Sequence, residues 1–487
     1  MTDERPDITV VVMDCVRADV FDQAVRSGSM PFLASTEDKF LRFSRAIAPA
    51  SWTIPSHASL FTGLYPWDHG AHYKGGAILA PGTPTLGEYL RDHGYRTACF
   101  SANGYVQPAT GLTRGFDRAV WGGDREFFLR FLATEPSCPS LNGEDAAVHA
   151  ILDAPSRASA LRVGTMRTLS RFTPLCDAIN RVGGHLRGQR PDFVGSWIER
   201  ELAAEATAHA DRPAFYFVNL LEAHEPYLAD AGRPIGLGDW LSYARTTQVS
   251  EQWTSGERHP APKDLAWSRR AYAASLASID ERLRRIVEVL RQRGRWDNTL
   301  FVVTSDHGQT FGEEGAMYHR LRLLEGITRI PLWVKMPSGG VGRPGACDAP
   351  WVGLTDVART AVSLVDPSAT FGDPSSVPLG LANESVGRTV YSMTDGLPKH
   401  EASRMPPARR EELDRVQIAG YHGDLKTIVD QDGSQTFLTV LGDAVRPVPA
   451  GEGVDPAAFG EILPKVRHVL NLPEPATVSQ RIAGWGY

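Results

Sequence analysis

Short apolar segments of β-strand character alternate with segments of helical periodicity along most of this chain. The strand candidates are residues 9–13, 97–101, 214–220, 300–304 and 332–335, and the helix candidates include residues 85–92 and about 271–293. In the second helix candidate the apolar residues fall on one face at helical spacing, which predicts core packing. Strands that alternate with helices are typical of βαβ units. The sequence therefore predicts an α/β fold with a large, mainly parallel sheet flanked by helices.

The last quarter of the chain has a different pattern. A turn-rich segment at 371–378 follows residue 368, and four short candidate strands come after it, at 389–393, 416–421, 425–429 and 436–440. Turn residues between such segments mark loops and boundaries. We therefore expect a large α/β domain at 1–368 and a smaller antiparallel α+β subdomain at 369–487. Residues 137–184 have the pattern of an insertion, to which we assign no role. Residues 233–263 are predicted to form either a lid on the substrate side or an ordinary surface loop.

The composition of the chain argues against nucleic acid and membranes as binding partners. The chain has 487 residues, 42% of them hydrophobic, and a net charge of −6 with both signs spread along its length. A chain of this kind can bury a large core. It has no basic stripe for nucleic acid and no polybasic cluster for a membrane surface. We find no apolar run that approaches the roughly 20 residues of a membrane helix and no signal-peptide pattern at the start.

The five cysteines are scattered and odd in number, which favours reduced thiols over a disulfide framework. Together with the polar, acidic start of the chain, this predicts a cytoplasmic protein. The sequence does not indicate an oligomeric state.

Polar residues with metal-binding or nucleophilic side chains come directly after the strand candidates. Asp14 closes an apolar run, Asp306 and His307 follow another, and Thr53 opens a segment that leads into a helical pattern. Ligands of open α/β sheets bind outside the carboxyl ends of the strands. These residues are therefore where a site should be sought.

Eight short strings around these residues occur in a fixed order. They lie at 12–19, 51–66, 84–86, 94–98, 114–117, 222–227, 304–308 and 329–332. Each string is weak by itself, but the ordered set resembles the sulfatase family of the alkaline-phosphatase superfamily. The resemblance covers most of the first 335 residues, and members of this family carry a smaller C-terminal lobe.

The chain departs from the family signature at several positions. Thr53 stands where sulfatases have the Cys or Ser that is oxidised to formylglycine, and His57 stands where they have Arg. Threonine carries a methyl group on Cβ, so the same oxidation could give only a ketone. Cys15 follows Asp14 where the family often has a second Asp, and residues 101–105 lack the family's Lys and His. Threonine is the nucleophile of phosphoryl-transferring relatives, among them nucleotide pyrophosphatases, phosphonoacetate hydrolases and phosphoethanolamine transferases.

The resemblance implies a metal site made by Asp14, Asp306 and His307, completed by the oxygen of Thr53. A mixed oxygen and nitrogen set favours Mn²⁺ or Zn²⁺, with Ca²⁺ or Mg²⁺ as alternatives. We expect one divalent ion, because the strings of a second metal site are missing. A polar cluster of Asp68, His69, His72 and Lys74 reads instead as a site rim or a hydrogen-bonded loop.

The resemblance also suggests catalytic roles. Thr53 would be the nucleophile at a helix N-terminus, where backbone N–H groups favour an oxyanion; alternatively, its hydroxyl only caps the helix. His57 would orient Thr53 as a hydrogen-bond partner or a base. His224 and His319 would face the ester oxygens, and Arg17 would pair either with a metal-binding carboxylate or in an ordinary salt bridge.

These features predict a metal-dependent, sulfatase-like hydrolase of small sulfate, phosphate or phosphonate esters that works through a covalent Thr53 intermediate. A phosphoryl or sulfuryl transferase on the same site is one alternative. A non-catalytic binding protein that retains the fold is another, motivated by the missing Lys and His string.

Overall fold

The structure, a computed structural model, describes residues 5–122, 193–209, 211–225, 227, 252–253, 256, 259, 261–319, 321–348, 351–384, 387–397, 402–403, 405–431, 434–441 and 444–448. The predicted insertion at 137–184 and most of the segment at 233–263 lie outside these residues. In the described part of the chain, no helix is long and apolar enough to cross a membrane.

The described strands are β1 Asp7–Met13, β2 Leu41–Phe43, β3 Ala46–Ile47, β4 Arg96–Ser101, β5 Arg118–Trp121, β6 Ala214–Leu220, β7 Thr299–Thr304, β8 Thr310–Phe311, β9 Met317–Tyr318, β10 Leu332–Lys335, β11 Gly345–Cys347, β12 Val352–Gly353, β13 Val390–Asp395, β14 Val416–His422, β15 Leu425–Asp430, β16 Gln435–Leu441 and β17 Ala444–Pro447. The described α-helices are α1 Ala18–Arg26, α2 Pro31–Thr36, α3 Thr53–Thr62, α4 Pro66–His69, α5 Leu86–Asp92, α6 Phe193–Ala208, α7 Pro262–Gln292, α8 Glu325–Thr328, α9 Leu354–Val365 and α10 Pro407–Leu413.

A central sheet of eight strands has the order β11-β2-β10-β7-β1-β6-β4-β5. All of its pairings are parallel except those of β10, which runs antiparallel to both neighbours. The predicted mainly parallel sheet is therefore confirmed. Because β1, β4, β6 and β7 run the same way, their carboxyl ends meet at one edge of the sheet.

The two faces of this sheet bury two separate cores. Alternate residues of β1 point to opposite faces, so Val10 and Val12 lie in one core and Val11 and Met13 in the other. Helices α3, α5 and α9 cover the first face, and α1, α2, α6 and α7 cover the second. The result is a three-layer α/β/α arrangement. The predicted apolar stripe of α7 lies in the second core and is fully buried; it comprises Leu276, Ile279, Leu283, Ile286, Val287 and Leu290.

Strands β13 to β17 form a separate five-stranded antiparallel sheet in sequence order. This confirms the antiparallel character expected of the C-terminal part and adds β17, which the pattern did not predict. The sheet packs against the first part of the chain: Met393 of β13 shares a small core with Tyr65 and Trp67. The division into domains at residue 368 stays a prediction.

Candidate active site

The carboxyl ends of four neighbouring strands bring the candidate residues together. Asp14 follows β1, Asn103 follows β4, His224 lies beyond β6, and Asp306 and His307 follow β7. Asp14, Asp306 and His307 have no exposed surface. The adjacency of β1 to both β6 and β7 is what makes residues from distant parts of the sequence neighbours.

Thr53 is the first residue of α3 and is buried. The N-cap residue is Trp52, and its side chain makes no capping hydrogen bond. The Thr53 hydroxyl does not cap the helix either. It accepts a hydrogen bond from Asn103 Nδ2 at 3.4 Å and lies 3.5 Å from His307 Nε2. The hydroxyl therefore faces the strand-end residues, at a helix end whose backbone N–H groups favour negative charge.

Asn103 links the carboxylate of Asp14 to this hydroxyl. Its amide donates to Asp14 Oδ2 at 2.7 Å as well as to Thr53. The other oxygen, Asp14 Oδ1, accepts from the thiol of Cys15 at 3.3 Å. Sequence reasoning missed Asn103, although it follows a predicted strand in the same way as Asp14 does.

Asp306 lies beside these groups. Its Oδ1 accepts from the backbone N–H groups of Cys15 at 3.2 Å and of His307 at 2.9 Å. Its Oδ2 is buried and has no hydrogen-bond partner among the described residues. Burial and the charge of Asp14 raise the pKa of Asp306 well above its ordinary value. Two buried carboxylates this close are costly without a counter-charge.

The unprotonated nitrogen of the His307 ring faces Asp306 and Thr53. Its Nδ1 donates to the carbonyl of Gly308 at 2.9 Å, so Nε2 is the unprotonated nitrogen of a neutral imidazole. Nε2 lies 3.3 Å from Asp306 Oδ2 and 3.5 Å from Thr53 Oγ1. Burial lowers the pKa of His307 to about 4, which keeps the ring neutral.

This arrangement fits a divalent cation. A lone pair of His307, the unpartnered Asp306 Oδ2 and the hydroxyl oxygen of Thr53 lie close together, with the carboxylate of Asp14 next to them. A cation would neutralise the two carboxylates and supply the missing partner. The ligand atoms of Asp14, Cys15 and His307 already lie within 4.8 Å of one another. Asp306 borders that group and is not itself part of it.

His57 makes contacts other than those expected. Its Nδ1 bonds to the backbone carbonyl of Thr53 at 2.9 Å, and its Nε2 accepts from Asn219 Nδ2 at 3.3 Å. Both ring nitrogens are therefore used, and burial lowers the pKa of the ring. His57 holds the backbone of the first turn of α3 and makes no hydrogen bond to the Thr53 hydroxyl, because the i to i+4 spacing on α3 directs the ring at the carbonyl.

His224 and His319 lie on the outer side of the site, around Cys15. Their rings are 5.4 Å apart, and the ring of His319 is 4.5 Å from that of His307. Ligand atoms of Cys15, His224, Glu225 and His319 lie within 4.8 Å of one another. The sequence analysis noted Cys15 only as a departure from the family and gave neither Cys15 nor Glu225 a metal-binding role, since neither has a distinguishing spacing.

Arg17 forms two ordinary salt bridges, and neither of them involves Asp14 or Asp306. Its guanidinium binds Asp19 at 2.8 Å and Glu313 at 2.7 Å.

The polar cluster after α3 is a hydrogen-bonded loop: His69 binds Ser59 Oγ at 3.0 Å, and His72 Nδ1 accepts from Gly75 N at 2.9 Å. Of the two readings of that cluster, the structure favours the loop.

Comparison with known proteins agrees with this geometry. The sequence pattern of the Sulfatase family matches residues 6–367. Iduronate 2-sulfatase of Mus musculus is 22% identical over 354 residues, which cover 70% of this chain and 61% of that protein, less than two thirds of its length. The multifunctional alkaline phosphatase superfamily protein PehA of Trinickia caryophylli is 25% identical over 363 residues, or 68% of each chain.

Among solved structures, the phosphonate monoester hydrolase of Agrobacterium radiobacter superposes with a TM-score of 0.62 at 17% identity, covering 95% of this chain and 96% of that one. At this identity the likeness shows a shared fold. The family pattern, in contrast, covers well over half of the sequence and includes every strand end that carries the site. The protein belongs to the sulfatase family.

Proposed function

We propose that the protein is a metal-dependent hydrolase of small phosphate, phosphonate or sulfate esters that works through a covalent intermediate on Thr53. The observation that carries the proposal is the position of the Thr53 hydroxyl. It is buried at the N-terminus of α3, within 3.4 Å of Asn103 Nδ2 and 3.5 Å of His307 Nε2, and it is not used as a helix cap. Nucleophilic hydroxyls need such a setting because they are weak at their ordinary pKa.

Asp14, Asp306 and His307, with the Thr53 oxygen, would hold one divalent ion. A set of carboxylates and an imidazole favours Zn²⁺ or Mn²⁺. When bound, such an ion lowers the pKa of the hydroxyl and screens the charge of an ester.

Thr53 would attack the phosphorus atom in line with the leaving group. The bond from phosphorus to the leaving oxygen breaks, the Thr53 Oγ1–phosphorus bond forms, and the leaving alcohol takes up one proton. Water then attacks the same phosphorus atom and restores the hydroxyl. His224 and His319 would face the ester oxygens, while His57 would position the backbone of Thr53 through its carbonyl. The backbone N–H groups at the N-terminus of α3 would stabilise the negative charge that develops on the ester oxygens.

Phosphorus chemistry suits this chain better than sulfate chemistry. A formylglycine hydrate has a second hydroxyl that can expel sulfate from the covalent intermediate, and a threonine ester has none. A phosphothreonine can instead be resolved by attack of water at phosphorus. Similar proteins include a phosphonate monoester hydrolase and iduronate 2-sulfatase, so both classes of ester have to be tested.

A comparison of 4-nitrophenyl esters with one common leaving group tests the proposal. We expect the phosphodiester or phosphonate monoester to be turned over faster than the matched sulfate, with each of several metals. Co-expression with a formylglycine-generating enzyme should change neither rate. Product analysis with an added alcohol separates hydrolysis from transfer. Multiple turnovers with a clear preference for the sulfate would overturn the assignment to phosphorus esters.

A further inference from the structure

A second group of metal-ligand side chains borders the site of Asp14, Asp306 and His307. It consists of Cys15, His224, Glu225 and His319, whose ligand atoms all lie within 4.8 Å of one another. The four residues come from the ends of β1 and β6 and from the segment after β9, so the fold rather than the local sequence brings them together. A thiol, two imidazoles and a carboxylate are an uncommon set to collect in one partly buried place without a ligand.

One distance within this group matches the spacing of ligands on a tetrahedral ion. With about 2.3 Å from zinc to sulfur and about 2.1 Å to nitrogen, sulfur and nitrogen ligands lie roughly 3.6 Å apart. Cys15 Sγ and His319 Nδ1 are 3.7 Å apart. Glu225 Oε2 is buried and has no hydrogen-bond partner among the described residues. A bound cation would supply that partner.

The hydrogen bonds of the His307 and His224 rings indicate which of the two groups of ligands the Cys15 thiol belongs to. Cys15 Sγ is also 3.8 Å from His307 Nδ1, but that nitrogen donates to the Gly308 carbonyl and carries no lone pair for a metal. The lone pair of His307 is on Nε2, which faces Thr53. His224 Nδ1 donates to the carbonyl of Glu225 at 2.7 Å, which leaves the lone pair of that ring on Nε2. His307 therefore offers no metal-binding nitrogen on the side of the sulfur, whereas His319 Nδ1 lies 3.7 Å from the sulfur.

The backbone of Cys15 is fixed in a conformation that non-glycine residues rarely adopt. Its φ of 63° is in the left-handed region, which costs roughly 1–2 kcal/mol. Its N–H donates to Asp306 Oδ1 at 3.2 Å, and its carbonyl accepts from the hydroxyl of Tyr272 at 2.8 Å. Strain that the surroundings hold in place is typical of residues with a functional orientation.

We propose that Cys15, His224, Glu225 and His319 form a second divalent-cation position beside that of Asp14, Asp306 and His307, and that Zn²⁺ is its preferred ion. Binding replaces the thiol proton of Cys15 with the metal and releases that proton to solvent. Paired metal ions can stabilise both the attacking and the leaving oxygen of a displacement. A catalytic role for the second ion rests on the proposed function, whereas the binding of a metal ion at this position does not.

Titration of the metal-free full-length protein with Co²⁺ tests the proposal without an activity assay. A sulfur ligand gives a thiolate-to-Co²⁺ charge-transfer band in the ultraviolet, and a site of only oxygen and nitrogen gives none. We expect two ions per chain and the band. Cys15→Ser should remove the band, and His319→Ala and Glu225→Gln should each remove one ion and the band with it. Asp306→Asn should remove the other ion and keep the band.

Cys347→Ala is the matched control, because this buried cysteine lies in β11, away from the site, and its loss should leave the band unchanged. Circular dichroism establishes that each variant folds. One Co²⁺ per wild-type chain, or a band that survives His319→Ala and disappears in Asp306→Asn, would overturn the second position. Ester hydrolysis with a single bound ion refutes the second position and leaves the proposed function intact. Two ions without turnover of any ester refutes the function alone.

Discussion

The indole N–H of Trp52 donates a hydrogen bond of 2.9 Å to the carboxylate of Asp395. Trp52 is the residue before Thr53, and Asp395 ends the first strand of the C-terminal antiparallel sheet. The same carboxylate accepts from the backbone N–H of Tyr73, whose ring stacks on Trp52 at 3.9 Å. The C-terminal sheet therefore fixes the entry of the helix that carries the proposed nucleophile.

Asp395→Ala should reduce both stability and turnover. It removes the buried acceptor of two hydrogen bonds, each worth about 1–3 kcal/mol when lost in a buried setting. A displacement of Thr53 by even about 1 Å can cost on the order of 10²-fold in rate. Asp395→Asn keeps one acceptor oxygen and should recover much of the turnover. Equal kcat values for Asp395→Ala and the parent would show that this contact does not position Thr53.

Thr53→Ala should leave the fold intact and lower kcat by on the order of 10³-fold or more, as expected for a lost nucleophile. Thr53→Ser retains the oxygen and should keep part of the activity. Rapid-quench experiments should trap a covalent phosphoryl group on the parent protein and none on Thr53→Ala. If Thr53→Ala turned over a good substrate at the parent rate, direct attack by water would be the better account.

Asn103→Ala should weaken metal binding and catalysis together. The amide donates to both Asp14 Oδ2 and Thr53 Oγ1, so its loss frees a proposed metal ligand and the proposed nucleophile at once. Residues that orient metal ligands typically contribute about 10–100-fold in metal affinity or activity. Calorimetric metal titration and kcat/KM measure the two effects. Gln107→Ala is a control in the same loop, because its amide binds the carbonyl of Gly104 and not the site. A variant whose metal affinity and kcat/KM both match the parent values would rule out this role for Asn103.

The sequence predicted those parts of the site that follow from strand ends. Asp14, Asp306 and His307 come after runs of β-branched and aromatic residues, which are recognisable as buried parallel strands. Thr53 was found because a helical pattern follows it. The same reasoning applied to β4 would have found Asn103, but a Ser-Ala-Asn-Gly string reads first as a turn.

The contacts around Cys15 could not be predicted from the sequence in the same way. Cys15 and His319 are separated by 304 positions, and only the parallel order of β6, β1 and β7 brings their surroundings together. The left-handed φ of Cys15 is set by hydrogen bonds from Tyr272 and to Asp306, which no local pattern reports. The contacts of His57 could not be predicted for a related reason, since a ring on α3 can reach either a hydroxyl or a carbonyl and only the packed structure decides.

His69 should make the protein less stable in mild acid. It is buried behind α3, where its Nδ1 accepts from Ala71 N at 3.0 Å and its Nε2 donates to Ser59 Oγ. Burial lowers its pKa to about 3 in the folded protein, whereas histidine in an unfolded chain has a pKa of about 6.5. Below about pH 6.5 the unfolded chain therefore binds one more proton than the folded protein at this position. Its contribution to the free energy of unfolding then falls by about 1.4 kcal/mol per pH unit until the folded pKa is reached.

Urea unfolding of the parent and of His69→Gln between about pH 5 and pH 7 measures this contribution. The free energy of unfolding should fall less steeply with decreasing pH in His69→Gln, because the variant has no group to protonate there. Ser59→Ala is the matched control: it removes the hydrogen-bond partner but keeps the imidazole, so it should lower stability at every pH without flattening the slope. Identical slopes for the parent and His69→Gln would mean that His69 is protonated in the folded protein as readily as in the unfolded chain, so that its buried surroundings accept the charge.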